Sequence, residues 1–172
     1  MGQRFGRETV WSRMGAKVEL PEIAGTKSGV LVVIGSARCV HDDLEKFNGM
    51  FPAGDHDTMV CNHVGAYYPK FEHWASPYPD DGKVWEDYRE TLALPQVDFL
   101  GHTWGGRAKG KFMEWPINVT WVRSAGQLAV TVGVALGYDL VVMAGVPCDD
   151  GGHFYPTSEN HIYKDYAASF HT

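Results

Sequence analysis

The residues of this chain best suited to chemistry stand in short polar clusters behind apolar runs. Gly35, Ser36, Ala37 and Arg38 follow the run Val30–Ile34, and Asn62 and His63 follow Thr58–Cys61. Ser76 and Tyr78 follow a third run, and His102, Thr103 and Trp104 a fourth. Arg123, Ser124 and Gly126 open a stretch of small and aliphatic residues; Gly145 closes the last apolar run, with Asp149, Asp150, His153 and Tyr155 just beyond it. Small residues at a strand-to-helix turn let backbone N–H groups face an anion. The pattern therefore predicts a phosphate or similar group held by Gly35–Arg38 and Ser124–Gly126. Histidine suits proton transfer near neutral pH, and paired carboxylates suit a hard cation.

Each cluster also has a plainer reading. Gly35-Ser36-Ala37 is neither GxGxxG nor a Walker loop, so it serves equally as a tight turn. Ser124 is a helix N-cap by type. Asp149 and Asp150 fit a turn, and the basic residues from Arg107 to Lys111 fit a solvated loop. His41, Asp42 and Asp43 stand at a helix start, where the macrodipole favours acids.

The elements that must position these residues follow from pattern. Gly29–Gly35 reads as a buried strand and Cys39–Phe47 as a helix, with Val40, Leu44 and Phe47 on one face. Asn48–His56 reads as loop, and Asp57–His63 and Phe71–Ser76 as strands. Val84–Leu94 has helical spacing and ends before Pro95; Val97–Thr103 reads as a fourth strand, and Gly101–Lys111 as a glycine-rich, mobile basic loop. Ser124–Leu136 predicts a helix closed by Gly137 in the left-handed conformation, leading straight into a buried strand, Asp139–Gly145. Strands alternating with helices predict an α/β fold: a Rossmann-like open, mostly parallel sheet with helices on both faces. In such a sheet ligands lie outside the carboxyl ends of the strands. Residues 1–28 read as an irregular arm carrying Trp11, and 29–172 as one domain.

Composition sets further bounds. The 172 residues allow one domain with a real core, and 44% hydrophobic with 21% charged residues is a globular balance. A net charge of -6 argues against a general nucleic-acid partner but leaves room for a small anion in a local pocket. No run reaches the roughly 18 apolar residues of a membrane span, and Met1–Arg13 lacks the apolar core of a secretory signal, so a cytoplasmic protein is expected. Cys39, Cys61 and Cys148 form no CxxC pair and predict buried free thiols rather than a disulfide framework or zinc site.

Taken in order, Gly35-Ser36-Ala37, Cys61-Asn62, Arg123-Ser124-Ala125-Gly126, Ala135-Leu136-Gly137-Tyr138 and Ala144-Gly145-Val146 resemble the bacterial sialyltransferases that use CMP-sialic acid. They also resemble a related Rossmann-like set that includes archaeal hydroxymethyl-dihydropterin pyrophosphokinases and small phage and prophage proteins. The likeness covers roughly Gly29–Tyr155. Gly-x-Ala stands here in place of that family's Gly-x-Gly, and Pro147 in place of a usual acid. The resemblance implies a nucleotide or nucleotide-sugar held by Gly35, Ser36, Ala37, Arg38, Asn62, Arg123, Ser124, Gly126 and Gly145, with Tyr155 on the leaving phosphate and His153 or His161 as general base. That leading reading, an inverting transfer from a CMP-sugar, needs no cofactor. One alternative is a pyrophosphokinase or nucleotide hydrolase using Mg2+ on Asp149 and Asp150. Another is a non-catalytic phage-associated module in the cytoplasm of an infected host, whose N-terminal arm docks on a partner or on a second copy of the chain.

Overall fold

A computed structural model describes residues 20–51, 55–117, 122, 124–146 and 152. Its elements in chain order are β1 (Val30–Ile34), α1 (Val40–Met50), β2 (His56–Cys61), α2 (Val64–Tyr67), β3 (His73–Ala75), α3 (Gly82–Thr91), β4 (Leu100–Trp104), β5 (Phe112–Trp115), α4 (Ala125–Leu136) and β6 (Leu140–Ala144). The six strands form one sheet in the order β5-β4-β3-β2-β1-β6, every neighbouring pair parallel. This is the expected Rossmann-like open α/β sheet. No described helix is long and apolar enough to cross a membrane.

The chain steps outward from β1 to β5, then returns across the sheet to place β6 on the other side of β1. Parallel connections share one hand, so reversing the direction of travel moves the connecting helix to the opposite face. Val40 and Phe47 of α1, Val64 and Ala66 of α2 and Trp85 of α3 accordingly pack with Val32, Ile34, Val60 and Trp74 on one face. Leu128, Ala129, Val132 and Leu136 of α4 pack with Leu31, Val33 and Met59 on the other. Leu31–Ile34 of β1 are wholly buried, as a strand covered on both faces must be.

Several boundaries differ from expectation for local reasons. Helix α1 runs on to Met50 through Gly49, because Phe51 stacks on buried Phe47 at 5.0 Å and donates its N–H to the Phe47 carbonyl. Helix α3 begins at Gly82, after a 3-10 turn at Pro79–Asp81, and stops at Thr91. Ala93 beyond it takes a left-handed φ of 53°. Strand β4 starts only at Leu100. The largest departure is β5, which the sequence did not announce. Parallel neighbours ordinarily need a crossover of a dozen residues or more. Here seven, Gly105–Lys111, make the return through bends and turns without a helix, with positive φ at Gly105, Gly106 and Gly110. Lys109 pairs with Asp80 and Lys111 with Glu86, so this segment is held against α3 and its preceding turn rather than left as a mobile loop.

Residues 20–28 are likewise attached. Ile23 and Ala24 pack on the α4-side core, and the N–H groups of Gly25 and Lys27 donate to the Ala135 and Leu136 carbonyls at 2.9 Å each. Gly137 ends α4 at φ 104°, where a Cβ would stand 2.8 Å from the Lys27 carbonyl. Trp11, Met14 and Val18 lie outside the described residues.

One charge organises the α2–α3 side. Arg89 is 1% exposed, and its guanidinium donates to the carbonyls of Gly65 at 2.5 Å, Tyr68 at 2.6 Å, Pro69 at 3.1 Å and Pro95 at 2.7 Å. The planar fork matches those acceptors as an ammonium does not. Arg89→Ala is expected to lower unfolding stability by about 3–5 kcal/mol in urea titrations, the scale of leaving buried polar groups unpaired, and Arg89→Lys to recover little of it.

Candidate functional site

Strand order reverses at β1, so the connections leaving β1 and entering β6 part to opposite faces and open a crevice at their carboxyl ends. Ile34 stands opposite both Val60 and Ala144. The Gly35 N–H meets the Ala144 carbonyl and the Ala37 N–H the Gly145 carbonyl, so the end of β1 runs beside the end of β6, and Asn62 follows the last residue of β2. A Cβ on Gly126 would lie 3.2 Å from Val146, so the start of α4 abuts the end of β6. The fold thus brings Gly35 and Ala37 to Gly145, Arg38 to Gly152 and Gly126 to Val146, with Ser124 capping α4 and Asn62 at the carboxyl end of neighbouring β2. Arg123, Tyr155, His153, His161, Asp149 and Asp150 lie outside the described residues.

The turn after β1 differs from expectation. The N–H groups of Gly35, Ala37 and Arg38 donate to the carbonyls of Ala144 at 2.8 Å, Gly145 at 3.0 Å and Gly152 at 3.3 Å. The Gly145 N–H donates to the Asp43 carboxylate at 3.0 Å. These amides are satisfied by the chain itself, as buried backbone groups must be. The glycines serve close approach: a Cβ on Gly35 would stand 2.3 Å from the Gly145 carbonyl oxygen, and one on Gly145, at φ 69°, 2.7 Å from the Val40 Cβ. The Gly145 N–H holds the Asp43 carboxyl below its ordinary range against the opposing effect of burial, and the Cys39 thiol and Lys46 add to the lowering.

What remains open lies at α4 and β2. Ser124 and Gln127 form a capping box: the Ser124 Oγ accepts from the Gln127 N–H at 3.1 Å, and the Gln127 side-chain oxygen accepts from the Ser124 N–H at 3.2 Å. The next two N–H groups, of buried Ala125 and Gly126, have no acceptor among the described residues. Asn62 takes a left-handed φ of 48°, and its backbone is tied to Ala75, Gly65 and the Trp74 indole. Its side-chain oxygen is buried with no partner among the described residues. His63 follows it, exposed at the same rim, its ring 5.0 Å from that of Trp85. Burial lowers its pKa against the pull of Asp81, which favours the neutral base.

Other expected rim residues sit inside the fold. His102, Thr103 and Trp104 belong to β4 and are buried, and Ser76 is buried with its hydroxyl accepting from the Tyr78 N–H at 2.9 Å. His102 joins a polar chain on the α4 side of the sheet. The Trp115 indole lies 3.0 Å from His102 Nδ1, His102 Nε2 3.0 Å from His73 Nδ1, and His73 Nε2 2.9 Å from the Tyr138 hydroxyl, which donates to Asp57. Lys27 also donates to Asp57, at 2.9 Å. An indole N–H only donates, so His102 carries its proton on Nε2, and His73 in turn on Nε2. Neither histidine announces this role in sequence; only an apolar-face position in a strand hints at burial.

Burial pushes His73 down to about 4, with Lys27 adding to the shift and Asp57 opposing it, and pushes His102 down to about 3, helped by His73. Both are neutral in the folded protein at pH 6, whereas the unfolded chain takes up protons near pH 6.5. The unfolded state therefore binds more protons on acidification, and stability falls as pH drops below 6.5. Denaturant unfolding at pH 6.5 and 5 should differ by about 2–4 kcal/mol, up to about 1.4 kcal/mol per ring and pH unit. A flat profile over that window would show that the rings titrate normally.

Comparison with known protein families, with curated proteins and with solved structures finds no match to this chain. Among the described residues no group of three His, Cys, Asp or Glu side chains is placed to hold a metal ion.

Proposed function

We propose that the chain binds a nucleotide or nucleotide-sugar in the β1–β6 crevice and acts as a transferase, with a CMP-sugar as donor. The observation that carries the binding is that the N–H groups of Ala125 and Gly126, buried residues at the start of a 12-residue helix, have no acceptor among the described residues. Buried donors take a partner, and two at a helix N-terminus suit a phosphate, where the macrodipole adds attraction. The unpaired Asn62 oxygen offers an acceptor to a base or sugar on the β2 side. Order of motifs, in its resemblance to CMP-sialic acid users, supports the choice of donor. Amides fixed in place offset the charge of a departing phosphate without reorganising. The negative net charge is no obstacle, since the attraction is local.

Thermal unfolding with a panel of nucleotides and CMP-sugars tests this. A ligand at 100 times its Kd adds about 2.7 kcal/mol, a Tm rise of roughly 5–10 °C for a domain this size. Ala125→Pro removes one of the two donors at the first helical position, which tolerates proline, and Ser124 already has the extended backbone proline prefers before it (φ -134°, ψ 158°). That variant should keep its Tm without ligand within a few degrees and bind about tenfold more weakly. No shift with any nucleotide at millimolar concentration would refute the proposal.

A further inference from the structure

The polar chain from Trp115 to Asp57 has fixed ends. Its buried end is a group that only donates, and its partly exposed end, Asp57 beside Lys27, is a carboxylate that only accepts. Between them His102, His73 and Tyr138 have one way to satisfy every bond, all donors pointing toward Asp57. A proton added to His102 Nδ1 would face the Trp115 N–H, and one added to His73 Nδ1 would face the His102 Nε2–H. Either leaves a donor against a donor in a buried site, so one proton breaks the whole series.

We propose that this chain of bonds is an acid-opened latch joining the β3–β4–β5 half of the sheet to the C-terminal end of α4. Each side of the joint is short. Strand β3 has three residues, paired to β4 only through His73, Trp74 and Ala75. Tyr138 and Asp139 alone stand between the Gly137 cap and β6. Protons enter at Asp57, the one partly exposed carboxylate of the series. The charged groups facing the rings are Lys27 before β1, which resists uptake, Asp57 on β2, which favours it, and Glu72 before β3, whose carboxylate accepts from the Thr58 N–H at 2.8 Å. Burial lowers both rings in the same sense. A proton on His102 breaks its bond to Trp115, and one on His73 breaks the bond between the two rings.

Ring 15N and 1H spectra of the intact protein from pH 7.5 to 4, with amide hydrogen exchange and near- and far-UV circular dichroism, test the latch. Expected are Nε2–H tautomers for both rings at pH 7. As pH falls from 5 to 4 the Trp115 and Tyr138 signals should begin to change, with faster exchange in β3 and β4, while the far-UV helix signal persists. Trp115→Phe removes the fixed donor and frees His102 Nδ1 to take a proton, so its opening midpoint should rise by about one pH unit. An Nδ1–H tautomer for either ring, titration near pH 6.5 without local opening, or simultaneous loss of near- and far-UV signals would overturn the proposal. The wild-type spectra decide the matter even if the variant fails to fold.

Discussion

An all-parallel sheet obliges the chain to return to the same edge after every strand, and the other features follow from how these returns are made. Three returns run along one face through α1, α2 and α3, and a fourth, without a helix, brings β5 beside β4. The last crosses to the opposite face as α4. That reversal puts β1 inside the sheet, one strand from its β6 edge, and brings the end of β1, the end of β6 and the start of α4 together. Among the described residues one helix, α4, covers that second face over β1, β2, β3, β4 and β6. Side chains between α4 and the sheet must therefore fill much space, and the large polar rings of His73, His102 and Tyr138 do so with their donors and acceptors paired.

The crevice shows how closely strand ends meet when glycine allows it. Gly35 and Gly145 lie nearly in contact, and the amides of Gly35, Ala37, Arg38 and Gly145 find a carbonyl or Asp43 instead. Two effects compete at such a junction: exposing N–H groups to a guest, and satisfying them internally so that the turn is stable when empty. At β1 the second wins. At α4 the capping box satisfies the donors on either side of Ala125 and Gly126 and leaves those two. The balance shifts the centre of binding from the first turn to the long helix.

Much of this fold is legible in the residues. The apolar β1 run, Ser124 as cap and Gly137 as stop each carry a local physical cause, and the structure realises each one; the β6 run forms its strand, but at the sheet edge with Leu140 and Met143 exposed rather than buried. Strand β5 was not legible, because Phe-Met-Glu-Trp behind a glycine-rich stretch shows no long alternation and a seven-residue parallel crossover has no local signature. His102 and Trp104 looked like rim residues because polar and aromatic types inside a strand suggest its end. Their burial depends on partners 13 to 29 residues away in sequence, which pattern does not reveal. Asp43 looked like an ordinary acid of a first turn; its bond to Gly145 spans 102 residues.

The same long reach sets an order of events in synthesis. Gly29 beside β1 bonds to Asp139 beside β6 across 110 residues. A ribosome adds about 5–20 residues each second, so the β6 side of β1 stays open for roughly 6–22 seconds after β1 emerges. During that interval an uncharged strand, Val-Leu-Val-Val-Ile, is available to any other nascent chain with a matching edge. Yield in the cell thus depends on how quickly α4 and β6 arrive, and on what shields the strand while it waits.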